Sequence, residues 1–270
     1  MNEPLLDVRD LRVDYVSGGM RRSRFTALHG VSIDVRRGET VGLVGESGSG
    51  KSTLGRAVLG LVPVAAGSIT FDGGDITTAS RAERRRLATD LQVVFQDPYN
   101  SLNPNMAVGQ ILAEPLAVAN MSRGQARDRV VAALDQVHMP PDAADRRPHE
   151  FSGGQRQRIA IARALVLSPK LIVCDEPLSA LDLATQSRVV DLLIELQERT
   201  GVAYLFVSHD LHVVRHLCHR VSVMHKGRIV ESGPGAVVTA TPAEQYTREL
   251  LASSPIPDPR LQKARAAARD

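Results

Sequence analysis

The sequence predicts an α/β fold built on a parallel sheet, with an antiparallel β section near its start and a mostly helical lobe inserted in its middle. Three observations carry that prediction. Short apolar runs of buried-strand type (Thr40–Val44, Leu171–Cys174, Ala203–Val207 and Arg220–Met224) alternate with helical stretches such as Ala184–Arg199 and Leu211–Leu217. Strands joined by helices of this length pair in parallel through crossovers. The first 75 residues instead show apolar–polar alternation and a hairpin signal, while residues 98–165 show helical spacing.

Each element has its own justification. Leu5–Val13 and Val31–Val35 alternate apolar and polar residues, as half-buried strands do. The turn Arg37-Gly38-Glu39 leads into Thr40–Val44, an apolar run too continuous for a one-sided strand. A helical run follows over Ser52–Leu59. Ser68–Phe71 then reads as a strand closed by the hairpin turn Asp72-Gly73-Gly74. Val130, Leu134 and Val137 stand at i, i+4 and i+7, one helix face. The helical pattern Ile159–Leu167 stops at Ser168-Pro169. One domain is expected over 1–252. Its core and β section take about 1–97 and 166–235, and the helical lobe about 98–165. Residues 253–270, rich in Pro, Ala and charge, are expected to form a loosely ordered tail.

Composition bounds the function. Of 270 residues, 43% are hydrophobic and 23% charged, which suits a globular protein rather than a disordered one. The longest charge-free apolar-looking stretch, Ala57–Gly67, contains Pro63 and is about half the ~20 residues that a membrane span needs. The start, MNEPLLDVRD, has no basic region followed by an apolar one, so no secretory leader is expected. Two cysteines, Cys174 and Cys218, make neither a disulfide framework nor a four-ligand zinc site, and a reducing compartment fits them. The net charge of +3 is spread thinly. Arg21, Arg22 and Arg24, and Arg84–Arg86, form short clusters of the kind found on solvated faces. With no Trp, four Tyr and five Phe, no stacking platform or basic stripe for nucleic acid is evident.

Gly45-Glu46-Ser47-Gly48-Ser49-Gly50-Lys51-Ser52 fits G-x-x-x-x-G-K-[ST], directly after a buried strand and before a helical run. Glycines let the chain fold tightly enough to turn successive N–H groups towards phosphate oxygens, and the helix start adds a favourable dipole. Lys51 can reach the terminal phosphates and the Ser52 hydroxyl can ligate Mg²⁺. Leu171–Cys174 ends in Asp175-Glu176, where a magnesium-directed carboxylate (Asp175) and a general base for water (Glu176) belong. Ordinary helix-capping acids would look the same in isolation; beside a phosphate loop that reading weakens. Cys174 reads as a small buried apolar residue. Val207-Ser208-His209-Asp210 ends another strand at the same edge, where His209 could hold a γ-phosphate or the attacking water.

In this order the motifs resemble the nucleotide-binding subunit of ABC transporters, from about Leu5 to about Leu251. Phe151-Ser152-Gly153-Gly154-Gln155 is similar to that family's signature, usually LSGGQ, with Phe keeping the apolar anchor. Gln96 matches the Q-loop glutamine, Ser179-Ala180-Leu181-Asp182 the D-loop, and His209 the switch histidine. Tyr15 stands where the family places an aromatic on adenine, with Phe25 a lesser candidate.

The resemblance implies a phosphate-loop NTPase fold and an ATPase. ATP would be bound by Tyr15, by Gly45 through Ser52 (Glu46, Ser47, Gly48, Ser49, Gly50 and Lys51 included) and by Thr53. Ser52, Gln96 and Asp175 would serve Mg²⁺, and Glu176, His209, Gln96 and Lys51 would serve catalysis. Ser152, Gly153, Gly154, Gln155 and Asp182 would meet ATP held by a second cassette. That second ATPase subunit would be a paralogue or an identical copy. Two integral membrane permeases would complete the machine with a solute-binding protein, and this chain would lie at the cytoplasmic face of the membrane. A soluble ABC ATPase acting on DNA or the ribosome usually has two cassettes or a long coiled coil, and neither appears here. A small-metabolite phosphotransferase would leave Ser152–Gln155 unexplained.

Phe95–Pro104, Pro148-His149-Glu150 and Tyr246–Leu251 resemble the dipeptide, oligopeptide and nickel importer branch. Many of its peptide ATPases carry a cysteine-rich extension with an iron–sulfur cluster. No such cluster is expected here, since neither cysteine lies near the end. Peptides are the expected cargo, with nickel or a metal chelate as the alternative.

Overall fold

Among the described residues, ten strands form two sheets in the computed structural model, which describes residues 3–17, 23–97 and 101–253. The first sheet has the order β2-β1-β4-β5 and is antiparallel. It is made of β1 (Leu6–Ser17), β2 (Ser23–Val35), β4 (Ala66–Phe71) and β5 (Gly74–Asp75). The second has the order β10-β9-β3-β8-β7-β6. It is made of β3 (Thr40–Val44), β6 (Leu91–Val94), β7 (Leu171–Asp175), β8 (Ala203–Ser208), β9 (Arg220–His225) and β10 (Arg228–Pro234). Its strands pair in parallel except β10, which returns from β9 as an antiparallel edge.

The central strands are apolar over nearly their whole length because both faces are covered, with polar residues only at their ends: Thr40, Asp175 and Ser208. Along β8, Ala203, Leu205 and Val207 enter one core cluster, while Tyr204 and Phe206 enter the other. β7 splits in the same way, Leu171 and Val173 against Ile172 and Cys174. One cluster is closed by α1 (Lys51–Val58), through Leu54, Ala57 and Val58, and by the antiparallel sheet, through Val8, Leu28 and Ile33. The other is closed by α5 (Gly153–Leu165), α6 (Leu183–Thr200) and α7 (Leu211–Leu217). Into that second cluster the helices α3 (Val108–Val118) and α4 (Arg123–Gln136) also send Val108, Ile111, Val130 and Leu134. α8 (Gly235–Ala240) and α9 (Gln245–Ser253) follow β10.

The structure departs from the sequence reading at several elements. β1 and β2 run well beyond the alternating stretches. Register shifts between Val8 and Leu11, with Asp10 at a φ of 46°, reset the alternation halfway. Leu11, Val13 and Leu28 beyond those shifts are still buried, but the far end of the ribbon is solvated, and Val16 and Phe25 lie exposed. α2 (Arg81–Leu87) occupies what reads as an arginine cluster. Ser80 and Glu83 form a capping box, and no residue of the helix is buried, so it carries no apolar stripe. Arg84 is not simply solvated: its guanidinium donates to Val58 O at 2.8 Å and to Ile76 O, capping the end of α1. Arg21, Arg22, Pro98, Tyr99, Asn100 and the tail from residue 254 lie outside the described residues.

Candidate nucleotide site

The parallel register builds the site. Val44 of β3 stands opposite Ser208 of β8, and Val207 stands opposite Asp175 of β7. The next residues along each chain, Gly45, His209 and Glu176, therefore emerge together at the carboxyl edge of the sheet, the usual ligand crevice of such folds.

The glycine-rich loop is held from behind. Gly45 has a φ of 152°, and a Cβ there would run into the Met224 carbonyl oxygen at the end of β9. Gly227 N–H donates to Ser49 O at 2.8 Å, and Ser49 N–H donates to Glu46 O at 3.2 Å. Gly50 precedes α1 and offers no capping side chain, so the first-turn amides of α1 are left for an anion. Lys51 is 4% exposed and curls back on its own loop. Its Nζ donates to Gly45 O at 2.8 Å and Glu46 O at 2.9 Å, and lies 4.0 Å from the Glu176 carboxylate. Burial holds its pKa below the ordinary lysine value, against the pull of Glu176 and Asp175.

The strand ends bring the acids to that loop. Ser52 Oγ donates to Asp175 Oδ1 at 2.8 Å. Glu176 adopts a left-handed φ of 48°, and its N–H donates to Val207 O at 3.1 Å, which turns its side chain out of the strand. Glu176 Oε2 meets His209 Nδ1 at 3.2 Å. Cys174, two residues before Glu176, is buried, and desolvation pushes its thiol up from its ordinary value. Tyr15 joins the group through its hydroxyl, 3.4 Å from Thr53 Oγ1 in the first turn of α1. Phe25 is its cross-strand partner, and both rings are exposed. Gln96 is exposed just past β6, beside β7. The hydroxyl of Ser52 and the carboxylate of Asp175 form a hard oxygen pair of the kind Mg²⁺ selects, and the open amides suit phosphate.

Ser152, Gly153, Gly154, Gln155 and Asp182 form a second group. Ser152 caps α5: its Oγ accepts Gln155 N–H at 3.4 Å, and Gln155 Oε1 accepts Ser152 N–H at 3.0 Å. A Cβ on Gly154 would strike Thr185 near the start of α6, and Gly153 lies against Leu181. Asp182 caps α6, accepting Thr185 N–H at 2.9 Å and Thr185 Oγ1 at 2.7 Å; these bonds hold its carboxyl below the ordinary value. The first turns of α5 and α6 are thus locked together, with Ser152, Gln155 and Asp182 exposed. Phe151 is 3% exposed in the core cluster that α3 and α4 share with the parallel sheet, with the Arg146 guanidinium 4.4 Å from its ring centroid. An apolar anchor is legible at that position; Arg146, five residues upstream, is not. Tyr246 is legible in the sequence only as part of the Tyr246–Leu251 branch motif; its link to the loop, through a hydroxyl that accepts Glu46 N–H at 3.2 Å, is not.

Comparison with known proteins follows the same lines. The family model described as ABC transporter matches residues 28–179. A Brucella ovis protein named as a peptide import ATP-binding protein is 51% identical over 257 residues, covering 95% of this chain and 80% of its own. The glutathione import ATP-binding protein GsiA of Salmonella typhimurium is 48% identical over 268 residues, covering 97% of this chain but 43% of its own length. Among solved structures, cbiO1 from Clostridium perfringens, part of a cbiONQ ABC transporter complex, superposes with a TM-score of 0.79 at 32% identity, covering 89% and 92% of the two chains. A dimeric ATP-binding cassette in a post-hydrolysis state with ADP and Pi superposes at 0.75 and 29% identity, covering 85% and 98%.

Proposed function

The chain belongs to the ABC transporter family, and from that premise we propose that it is the ATP-hydrolysing motor subunit of a membrane importer for di- and oligopeptides. One observation carries the chemistry: Ser52 bonded to Asp175 beside Lys51, Glu176 and His209, on one sheet edge. The relatives named for peptide and glutathione import support the cargo.

In this reading the loop amides beyond Glu46, those of the first turn of α1 and the Lys51 ammonium hold the β- and γ-phosphates of ATP, and Tyr15 stacks on the base. Ser52, Gln96 and Asp175 would hold Mg²⁺, which neutralises phosphate charge when bound. Glu176 takes a proton from the water that attacks the γ-phosphorus; the bond to the bridging oxygen breaks, releasing ADP and phosphate. His209 orients the Glu176 carboxylate through Nδ1. The exposed signature segment, Ser152–Gln155, and Asp182 face the γ-phosphate of ATP held by a second cassette, so the working unit is a pair. Among the described residues no helix is long and apolar enough to cross a membrane. The pore is assigned to two permease subunits, with a solute-binding protein delivering cargo and this chain docked at the cytoplasmic face.

Cells lacking this chain should lose energy-dependent accumulation of a labelled tripeptide. The wild-type chain should restore it, and Lys51→Ala should not. Unchanged tripeptide uptake with a fall in nickel uptake would overturn the peptide assignment.

A further inference from the structure

The nucleotide loop is contacted from an element that the proposed mechanism does not use. Tyr246 lies in α9, 200 residues along the chain from the loop it touches. Its hydroxyl accepts the Glu46 N–H, and that N–H shares a peptide plane with Gly45 C=O. In a trans peptide the two groups point in opposite directions. On the far side of the plane, Gly45 O accepts Lys51 Nζ at 2.8 Å. One rigid unit therefore has a phenol at one end and the phosphate-binding ammonium at the other. We propose that Tyr246 is a positioning residue of the nucleotide site, fixing through the Gly45–Glu46 peptide the carbonyl that aims Lys51.

The plane needs such a hold. Gly45 has no side chain to restrict its rotation, and its φ of 152° is open to glycine alone. Tyr246 is itself anchored on two sides. Its ring stacks on His225 at the end of β9, with centroids 3.9 Å apart and planes 14° from parallel. The start of α9 is held by the Glu231 carboxylate of β10, which accepts Ala243 N–H at 2.8 Å and Glu244 N–H at 3.2 Å. Burial pushes the phenol up from its ordinary value, so it stays neutral and keeps its role as acceptor. The Glu46 N–H is committed to Tyr246, so phosphate binding falls to the later amides of the loop and the first turn of α1.

This inference rests on the nucleotide reading, and the test separates the two. Binding of an N-methylanthraniloyl ATP analogue to the full chain is measured by fluorescence, alongside KM for ATP and turnover. Tyr246→Phe keeps the ring and removes the acceptor. It should weaken binding about 3- to 10-fold, the worth of one net hydrogen bond, and the loss should appear in KM rather than in the rate at saturation. His225→Ala removes the stack. Combined with Tyr246→Phe it should weaken binding no further, because the stack acts through the hydroxyl. Equal affinity of wild type and Tyr246→Phe, or additive losses in the double variant, would overturn the positioning role alone. Failure of the wild-type chain to bind the analogue would overturn the nucleotide reading, and this inference with it.

Discussion

Lys51 carries an unusual load for one side chain. It is almost wholly buried, and its ammonium donates to two carbonyls of its own loop and faces Glu176. Desolvation works against its charge, and the Glu176 and Asp175 carboxylates oppose that loss. An anion entering the loop would meet a cation already oriented and largely stripped of water, which strengthens the attraction. Lys51→Ala removes that cation and takes a donor from each of the two loop carbonyls, Glu46 O keeping only its bond from Ser49 N–H. Nucleotide affinity should fall at least about tenfold, the scale of one lost charged hydrogen bond. A titration with the fluorescent analogue checks it; affinity within twofold of wild type would contradict the role.

At the scale of elements, Arg220 joins the two sheets. Its guanidinium clasps Asp34 of β2 at 2.8 and 2.9 Å and reaches Glu39, just before β3, at 3.3 Å. The Arg220 hydrogen bonds hold the Asp34 carboxyl below its ordinary value of 3.8, against partial burial. A depressed carboxylate contributes stability above its unfolded pKa and loses that contribution as pH falls through the folded one. Asp34→Asn should therefore cost about 1 kcal/mol at neutral pH, an amount already reduced for the pair's partial exposure. The difference from wild type should close as pH drops below 3.8. Urea unfolding at stepped pH measures it, and equal stabilities at pH 7 would refute it. The same scale shows what was legible in advance. β3, β7 and β8 announce themselves because burial on both faces makes their interior residues a continuous apolar run. α2 and β10 do not, because they cover the edge and surface and carry no apolar periodicity. β1 is legible only to Val13 and β2 only from Val31; the exposed stretches beyond carry no apolar alternation.

For the whole molecule, the parallel register turns scattered motifs into a site. Gly45–Ser52, Asp175-Glu176 and His209 are readable in the sequence because each is a short contiguous string ending an apolar run. Their meeting is a consequence of the strand order β3-β8-β7. Contacts between residues far apart in the chain, such as Tyr246 with Glu46 and Arg220 with Asp34, leave no local pattern to read. The Ser152 and Asp182 group is locked together and turned to solvent, while the proposed catalytic cluster lies at the strand ends; a second cassette completes the proposed arrangement. The central claim is that Glu176 activates water at a site closed by two such chains. The most direct test compares steady-state ATP hydrolysis by the full wild-type chain and Glu176→Gln, with size-exclusion chromatography in ATP. The variant should lose turnover by a factor of at least about 100, the lower range for a general base, and should elute as a dimer with ATP retained. Hydrolysis at the wild-type rate, or an ATP-loaded monomer, would contradict the account.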